Sequence, residues 1–253
     1  MELKEVYQQV NSKLEDVNFS LIWKDFQKYP FALYNKNEVC IDGNLIPWDD
    51  RFLGNTSIEY QGKNIAIWNI EKSYDLDILC ANLVHEMFHC YQKDKRDNRF
   101  PNDFIMLDYP DDIVNYSLKY EENKLLVNML NTNDETIKNQ LLTQFASIRN
   151  KRKQIIGDFI YQEFRTETFE GSAEFVALKT MQQISPIKFQ EQVQKYCDIL
   201  LKPSELYFDI RRISYFVGAL FLLALDNNLF DYDLFTEETH FDLLTKNCSI
   251  FDI

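Results

Sequence analysis

The sequence predicts an α+β fold in which a small antiparallel sheet precedes a larger helical region. Residues 31–70 are rich in β-branched and aromatic residues and are interrupted by turn-forming asparagine and glycine. After Ser73 the apolar residues recur at helical spacing instead. We find no repeat or low-complexity linker. We therefore expect one domain over residues 1–253, with a helix and sheet in 1–72 and helices in 73–253.

The N-terminal part begins with a predicted helix. Residues 2–29 have mixed charge and helical spacing. FALYNKNEVCIDG (31–43) and TSIEYQGKNIAIWNI (56–70) then each combine strand-forming residues with turn chemistry, at 35–37 and 61–64 respectively. They predict two short hairpins that belong to one antiparallel sheet.

A long helix is predicted to follow Ser73. One of its faces carries Leu76, Leu79, Cys80, Leu83, Val84, Met87 and Tyr91. Residues 96–112 are rich in Asp, Asn and Pro and predict a loop, and Asp134 is a candidate N-cap. The remaining predicted helices cover 113–130, 134–150, 153–183, 187–201, 204–226 and 237–246.

The charge balance restricts the class of partner. The chain carries a net charge of -13, with a pI near 4.7. An acidic surface repels phosphate backbones and anionic lipid, so we expect no nucleic-acid partner and no membrane partner. Nothing in the sequence indicates an oligomeric state.

The cysteines and the N-terminal sequence predict a cytoplasmic protein. Five scattered cysteines form no C-x-x-C pair and predict reduced thiols, mostly buried. They are Cys40, Cys80, Cys90, Cys197 and Cys248. The charged N-terminus lacks the apolar core of a signal peptide. The most apolar run, residues 215–225, is too short to span a bilayer and predicts a buried helix.

The stretch NLVHEMFHCYQ (82–92) contains two of the three histidines. His85 and His89 lie four residues apart, so a helix presents both imidazoles on one face. Glu86, one residue round from His85, is placed to take a proton from a metal-bound water. This is the H-E-x-x-H pattern of zinc metallopeptidases. The alternative is a helix with two incidental histidines, which the scarcity of histidine makes the weaker interpretation.

A catalytic zinc ion usually has three protein ligands, so a third is needed. His240 lies far along the chain, and Cys90 points about a quarter-turn away from His89. A carboxylate from the acidic stretch 161–175 is the better candidate. Its members are Glu163, Glu167, Glu170 and Glu174, which share related helical faces and would repel one another unless a divalent cation together with Arg165 relieves the repulsion. The alternative is a solvated acidic helix face. Gly171 within this stretch indicates close approach of another element.

These two motifs resemble those of the gluzincin zinc metallopeptidases. H-E-M-F-H (85–89) followed by E-G-S-A-E-F (170–175) is similar to the H-E-x-x-H and E-G-x-A-E-[YF] motifs of families that include bacterial collagenases. The resemblance implies a zincin-like fold, with Zn²⁺ held by His85, His89 and Glu170. It also implies that Glu86 is the general base, and that Glu174 hydrogen-bonds a zinc histidine. The 80 residues between His89 and Glu170 exceed the spacing in compact gluzincins, so Glu163 and Glu167 stay as rival ligands.

The function implied by the resemblance is hydrolysis of peptide bonds in a peptide or protein substrate. Strand residues 65–70 would form the sheet edge that pairs with an extended substrate. Tyr215 is a candidate donor to the oxyanion, and Arg212 could bind a substrate carboxylate or Glu174. The alternatives are a catalytically silent binding or regulatory protein on a zincin scaffold, and a metal-dependent hydrolase of another amide.

Overall fold

The computed structural model describes residues 2–71, 74–202, 204–225 and 235–247. The chain divides into two compact units. The first consists of Met1–Asp97 and Val176–Glu191, and the second of Asn98–Phe175 and Gln192–Ile253. The predicted α+β class is confirmed, because a small N-terminal sheet is followed by helices. The last predicted residue of the 204–226 helix and Cys248 lie outside the described residues.

The first unit contains the sheet and the histidine-bearing helix. Its elements are α1 (Leu3–Glu15), a 3-10 turn (Phe19–Leu21), β1 (Phe31–Tyr34), β2 (Glu38–Ile41), β3 (Asn44–Pro47), β4 (Thr56–Tyr60), β5 (Lys63–Asn69) and α2 (Leu76–Asp94). Helix α2 lies against β5 and β4, and α1 lies against β1, where the rings of Tyr7 and Phe31 stack. This unit also includes the C-terminal part of α6 (Phe159–Ile184) and the start of α7 (Pro186–Leu201).

The sheet is mixed, with strand order β3-β2-β1-β5-β4. The two predicted hairpins are confirmed as β1–β2 and β4–β5. The prediction of a wholly antiparallel sheet is wrong, because β1 pairs with β5 in parallel, with Leu33 opposite Trp68. Residues 65–70 were expected at an edge, but β5 lies between β1 and β4. Side-chain alternation reports which residues form strands, not which distant strand each one pairs with.

Local turn chemistry explains the hairpins. The Asn35 side chain accepts hydrogen bonds from the backbone of Asn37 and Glu38, which closes the first turn. Gln61 and Gly62 both have positive φ, the pattern of a type I′ turn between β4 and β5. Asp42-Gly43 forms a further turn of this kind, joining β2 to β3. A D-G pair between strands is the sequence signal that could have predicted this third hairpin.

Helix α2 is buried around most of its circumference. Asp75 caps its first turn by accepting hydrogen bonds from two backbone amides, and Lys188 bonds to the same carboxylate. Residues 86–92 are all buried, including Glu86, His89 and Gln92. Polar side chains of this stretch are therefore packed inside the protein beside apolar ones. Because polar and apolar residues of α2 are both buried, this helix lacks the clear division into an apolar and a polar face that a surface helix shows.

The second unit is helical in its described part. Its elements are α3 (Asp103–Leu107), α4 (Ile113–Leu130), α5 (Glu135–Ile156), the N-terminal part of α6, most of α7, α8 (Glu205–Phe208), α9 (Ile210–Ala224) and α10 (His240–Asn247). The predicted helix 113–130 and the predicted cap Asp134 are confirmed. The predicted loop 96–112 contains the short helix α3. The predicted helix 204–226 is divided at Asp209, whose side chain caps α9.

A fully buried group of charges occupies the interior of this unit. We call Lys119, Glu122, Arg149, Arg152, Glu163 and Glu167 the buried ion cluster. Arg149 bonds to Glu122 at 2.9 Å and to Glu167 at 2.7 Å, while Arg152 bonds to Glu122 at 2.7 Å. Lys119 bonds to Glu163 at 2.9 Å. Three cations thus face three carboxylates, which is the condition under which charges tolerate burial.

Two further sequence expectations concern the environment of the chain. Cys40, Cys80, Cys90 and Cys197 are free thiols and all four are buried, as predicted. In the described residues, none of the helices combines the length and the apolar character that crossing a bilayer requires.

Candidate metal site

The two histidines of α2 are brought together as the sequence predicts. The Nε2 atoms of His85 and His89 lie 3.2 Å apart, and the two rings are nearly perpendicular. His89 is buried and His85 is half-buried. Four-residue helical spacing aligns the two side chains on successive turns, and their Nε2 atoms converge on one point.

Gln92 determines which nitrogen of His89 faces that point. The distance from His89 Nδ1 to Gln92 Oε1 is 2.7 Å. Since an amide oxygen only accepts, Nδ1 carries the hydrogen and donates it, which leaves a lone pair on Nε2. Gln92 is fully buried. It therefore fixes the tautomer that a metal ligand needs, the role that second partners of ligating histidines commonly have.

Two buried residues, Glu86 and Cys90, lie next to the histidines in α2. Glu86 is buried beside His85, with 8% of its surface exposed. Cys90 is also buried, and burial raises the pKa of its thiol to about 12. A thiol with this pKa stays protonated at neutral pH, whereas a thiolate is the form that binds metals.

Glu170, on α6, has its own polar surroundings in the second unit. The guanidinium of Arg211 lies 3.4 Å from the Glu170 carboxylate and donates a 2.7 Å hydrogen bond to the Tyr215 hydroxyl. Tyr215 in turn hydrogen-bonds to Glu170. Burial, followed by the negative charge of Glu170, raises the pKa of Tyr215 well above its usual range, so the phenol keeps its proton.

Arg211 is itself held by a second carboxylate. Its Nε donates to Asp103 of α3 at 2.8 Å. In this segment Arg212 was the residue expected to bind a substrate carboxylate or Glu174. However, the Arg212 side chain is exposed, and its backbone amide bonds to the capping Asp209. Helical spacing could have found Arg211, because it lies four residues before Tyr215 and therefore on the same face.

Two glycines place Tyr215 and Arg211 beside Glu170. A Cβ atom added to Gly171 would lie 2.6 Å from the Cα of Gly218, and one added to Gly218 would clash with the Glu167 backbone. The backbones of α6 and α9 therefore touch, which confirms the interpretation of Gly171. Close backbone contact brings Glu170, which is next to Gly171, within reach of Tyr215 and Arg211, which lie about one and two turns before Gly218.

The rival carboxylates have other partners. Glu163 and Glu167 belong to the buried ion cluster, and Tyr109 also donates to Glu163. Their mutual repulsion is relieved by Lys119, Arg149 and Arg152. Arg165, which was expected to do so, bonds instead to the backbone of Asn98. Glu174 accepts a hydrogen bond from Tyr196. No sequence pattern marks Arg149 and Arg152, because their carboxylate partners lie on the helices α4 and α6. Lys119 pairs with Glu163 on α6 and also with Glu122 on its own helix.

Among the described residues, His85, His89 and Glu170 make up a group that could hold a metal ion. His240 is not a member of this group. It lies buried at the start of α10, where its backbone amide donates to Thr168 at 3.0 Å. Comparison of the chain with family models, with curated proteins and with solved structures finds no match.

Proposed function

We propose that this chain is a zinc-dependent peptidase of the zincin type, in which His85, His89 and Glu170 hold the metal ion. The observation that carries the proposal is the convergence of the two histidine Nε2 atoms at 3.2 Å. Zinc binds imidazole nitrogens at about 2.0–2.1 Å, and tetrahedral geometry then separates two such nitrogens by about 3.3 Å. The observed spacing fits two ligands on one ion. It also fits a hydrogen bond between the two rings. Measuring the zinc content of the protein distinguishes the two arrangements.

The course of helix α6 supports Glu170 as the third ligand. Within the first unit, Ala177 and Met181 pack against Ala81 of α2, while Lys188 of α7 bonds to Asp75 at the start of α2. As residue numbers rise along α2, the partner numbers fall, so the two segments run antiparallel.

Continuing α6 from these contacts extends the same helix face toward the histidines. Glu170 lies two turns, about 10 Å, before Ala177 on this face. Because α2 runs antiparallel to α6, the same distance of about 10 Å is measured from Ala81 toward the C-terminal end of α2. It ends between His85 and His89. Helix continuity therefore favours Glu170 over Glu163 and Glu167, which are also committed to the buried ion cluster.

The remaining residues have roles that follow from their chemistry. A bound zinc ion would polarise the scissile carbonyl and lower the pKa of the attacking water. Glu86 accepts the proton of that water and returns it to the leaving amine. Gln92 holds His89 in the tautomer that exposes Nε2, and Arg211 with Tyr215 orients the Glu170 carboxylate. Tyr215 is also the candidate donor to the oxyanion.

Elemental analysis of untagged protein tests the metal site. We expect about one zinc per chain, and loss of the metal in His85→Ala and in Glu170→Ala. Glu170→Ala is compared with Glu121→Ala, which removes a surface carboxylate that pairs with Lys124. Zinc that survives Glu170→Ala would exclude Glu170 as a ligand. A wild type that binds no zinc after reconstitution would leave the histidine pair as a hydrogen-bonded pair.

Peptide-library digestion with Glu86→Gln as the control tests the activity. Glutamine keeps the size of the side chain and removes its basicity, so we expect cleavage by the wild type alone. Cleavage that persists in Glu86→Gln would contradict the assigned base. Metal binding without cleavage in either protein would favour a zincin-type binding protein that has no turnover.

A further inference from the structure

Large apolar side chains are concentrated on the surface of the second unit. Phe104 and Leu107 of α3 are each 83% exposed, and Ile113 and Val114 in the first turn of α4 are 79% and 54% exposed. Phe208 at the end of α8 is 58% exposed. We call these five residues the apolar surface. Single exposed apolar residues are ordinary, whereas a concentration of them indicates an interaction site.

Contacts within the unit bring these residues to one region. The ion pair of Asp103 with Arg211 holds the start of α3 against the start of α9. The rings of Tyr116 and Phe208 meet edge to face, with centroids 5.1 Å apart, which holds α8 against the second turn of α4. The apolar surface is therefore shared among neighbouring elements and is not spread over the unit.

The same region is acidic. Between residues 100 and 118 the chain has four aspartates, Asp103, Asp108, Asp111 and Asp112, and no Lys, Arg or His. Asp103, Asp108 and Asp111 are exposed. The start of α9 adds Arg211, which pairs with Asp103, and the exposed Arg212. The aspartates outnumber these two cations, and an apolar surface with a mainly acidic rim selects a partner that combines apolar and cationic groups.

The apolar surface is connected to the proposed zinc ligand. Arg211 bonds to Asp103 of α3 on one side and contacts Glu170 at 3.4 Å on the other. A chain bound along α3 would therefore lie one side chain away from the residues that orient Glu170.

We propose that the apolar surface binds a polypeptide segment rich in large apolar residues and in lysine or arginine, and that this segment belongs to the substrate. The assignment to a substrate rests on the proposed peptidase function, whereas the binding itself does not. Nucleic acid and anionic lipid carry the wrong charge for the aspartates. A second copy of this chain would place aspartates against aspartates, which the charge opposes.

The test measures binding to a short fluorescein-labelled peptide in which lysine alternates with leucine and phenylalanine. Fluorescence anisotropy is recorded with full-length Glu86→Gln protein, so that no cleavage intervenes. The surface variant is Phe104→Ser/Leu107→Ser. Its matched control is Leu21→Ser/Ile187→Ser, which changes two side chains of 77% and 72% exposure in the first unit. All four side chains are exposed, so folding is preserved, and circular dichroism checks this.

We expect Kd to rise at least about tenfold in the surface variant and to change less than about twofold in the control. Replacing lysine by glutamate in the peptide should abolish binding, and added salt should weaken it. Equal affinity in the surface variant, or no binding by the parent, would overturn the proposal. Stronger binding to phosphatidylserine vesicles than to the peptide would overturn it as well. The same holds for dimerisation that the surface variant abolishes.

The two proposals fail separately. If the wild type binds no zinc and cleaves no peptide but the labelled peptide still binds, the docking surface stands and the peptidase function is rejected. Cleavage by the active protein with an unchanged KM in Phe104→Ser/Leu107→Ser would leave the peptidase function standing and exclude the assignment of the bound segment to the substrate.

Discussion

Gly171 on α6 and Gly218 on α9 lie so close that a Cβ atom on the first would sit 2.6 Å from the Cα of the second. The backbones rather than side chains are in contact, so neither helix can move aside without disturbing the other. This contact fixes the distance between Glu170 and the pair formed by Arg211 and Tyr215. The architecture of the candidate site therefore depends on the absence of two methyl groups.

Gly171→Ala is expected to separate the two helices. The added methyl group meets backbone, which yields less easily than a side chain, so we expect destabilisation of about 1–3 kcal/mol and reduced peptidase activity. Denaturant unfolding and activity measure the two effects. Ser172→Ala is the control, because it alters the next residue of the same buried helix without adding volume. A fully stable Gly171→Ala protein would show that the contact is less tight than described.

Gln92→Met is expected to weaken zinc binding while preserving packing. Methionine fills a similar volume but cannot accept the hydrogen from His89 Nδ1, so the tautomer with a free Nε2 loses its advantage. We expect zinc affinity to fall about 10–100-fold in a chelator competition assay. Gln92→Glu retains an acceptor and should bind zinc at least as tightly as the wild type. Equal affinities in all three proteins would contradict the role of Gln92.

Tyr215→Phe distinguishes the two roles open to this side chain. If Tyr215 donates to the oxyanion, kcat falls about 10²-fold while zinc content and KM are unchanged. If it only orients Glu170, zinc affinity falls and the kcat of the fully loaded protein changes little. The measurement combines steady-state kinetics with zinc titration. Tyr161→Phe, which changes a tyrosine in the first turn of α6, is the control and should alter neither kcat nor zinc affinity.

Glu122→Gln is expected to destabilise the protein severely. The Glu122 carboxylate is bonded to Arg149 and Arg152, so its loss leaves buried cations without compensation, at a cost of about 3–5 kcal/mol. The neighbouring Glu121 pairs with Lys124 at the surface, and Glu121→Gln should change stability by less than about 1 kcal/mol. Urea unfolding of both variants checks the contrast. Similar stabilities would mean that water reaches the cluster.

Acid should unfold the protein through the same cluster. Burial alone would raise the pKa of Glu122, but the charges of Arg149, Lys119 and Arg152 outweigh it and hold this pKa below its ordinary value of 4.5. The pKa of Glu163 is lowered in the same way. Groups with lowered folded-state pKa stabilise the protein above about pH 4.5, and this stabilisation is lost as pH falls toward their folded-state pKa.

Burial raises the pKa of Glu167, so this residue contributes with the opposite sign and reduces the total effect. We expect the free energy of unfolding to decline as pH falls below about 4.5, as measured by urea midpoints over an acid series. A midpoint that stays constant down to about pH 3 would contradict the lowered pKa values of Glu122 and Glu163.

Local signals in the sequence predicted much of the fold. The helix at 113–130, the Asp134 cap and the turns at 35–37 and 61–62 depend on neighbouring residues, and the structure contains all of them. The parallel pairing of β1 with β5 was missed because it joins strands more than thirty residues apart. Pairing at this distance depends on the whole core, and strand periodicity does not encode it.

In the candidate site as well, the residues related by local spacing were predicted and those paired across separate helices were not. His85, Glu86 and His89 were found because helical spacing alone brings them together. Arg211 and Asp103 were missed because their partnership joins α9 to α3, which are separate in sequence. The sequence left Glu163 and Glu170 as rival ligands, and only the structure shows that Glu163 is bonded to Lys119 and Arg152.

Helix α6 begins in one compact unit and ends in the other. The first unit therefore needs residues 176–191, which are synthesised long after its own sheet is complete. A fragment ending at Asp97 would leave Ala81 without Ala177 and Met181, and the carboxylate of Asp75 without Lys188. Such a fragment would expose apolar surface in water, so dissecting this chain into two autonomous halves should yield an aggregating N-terminal piece.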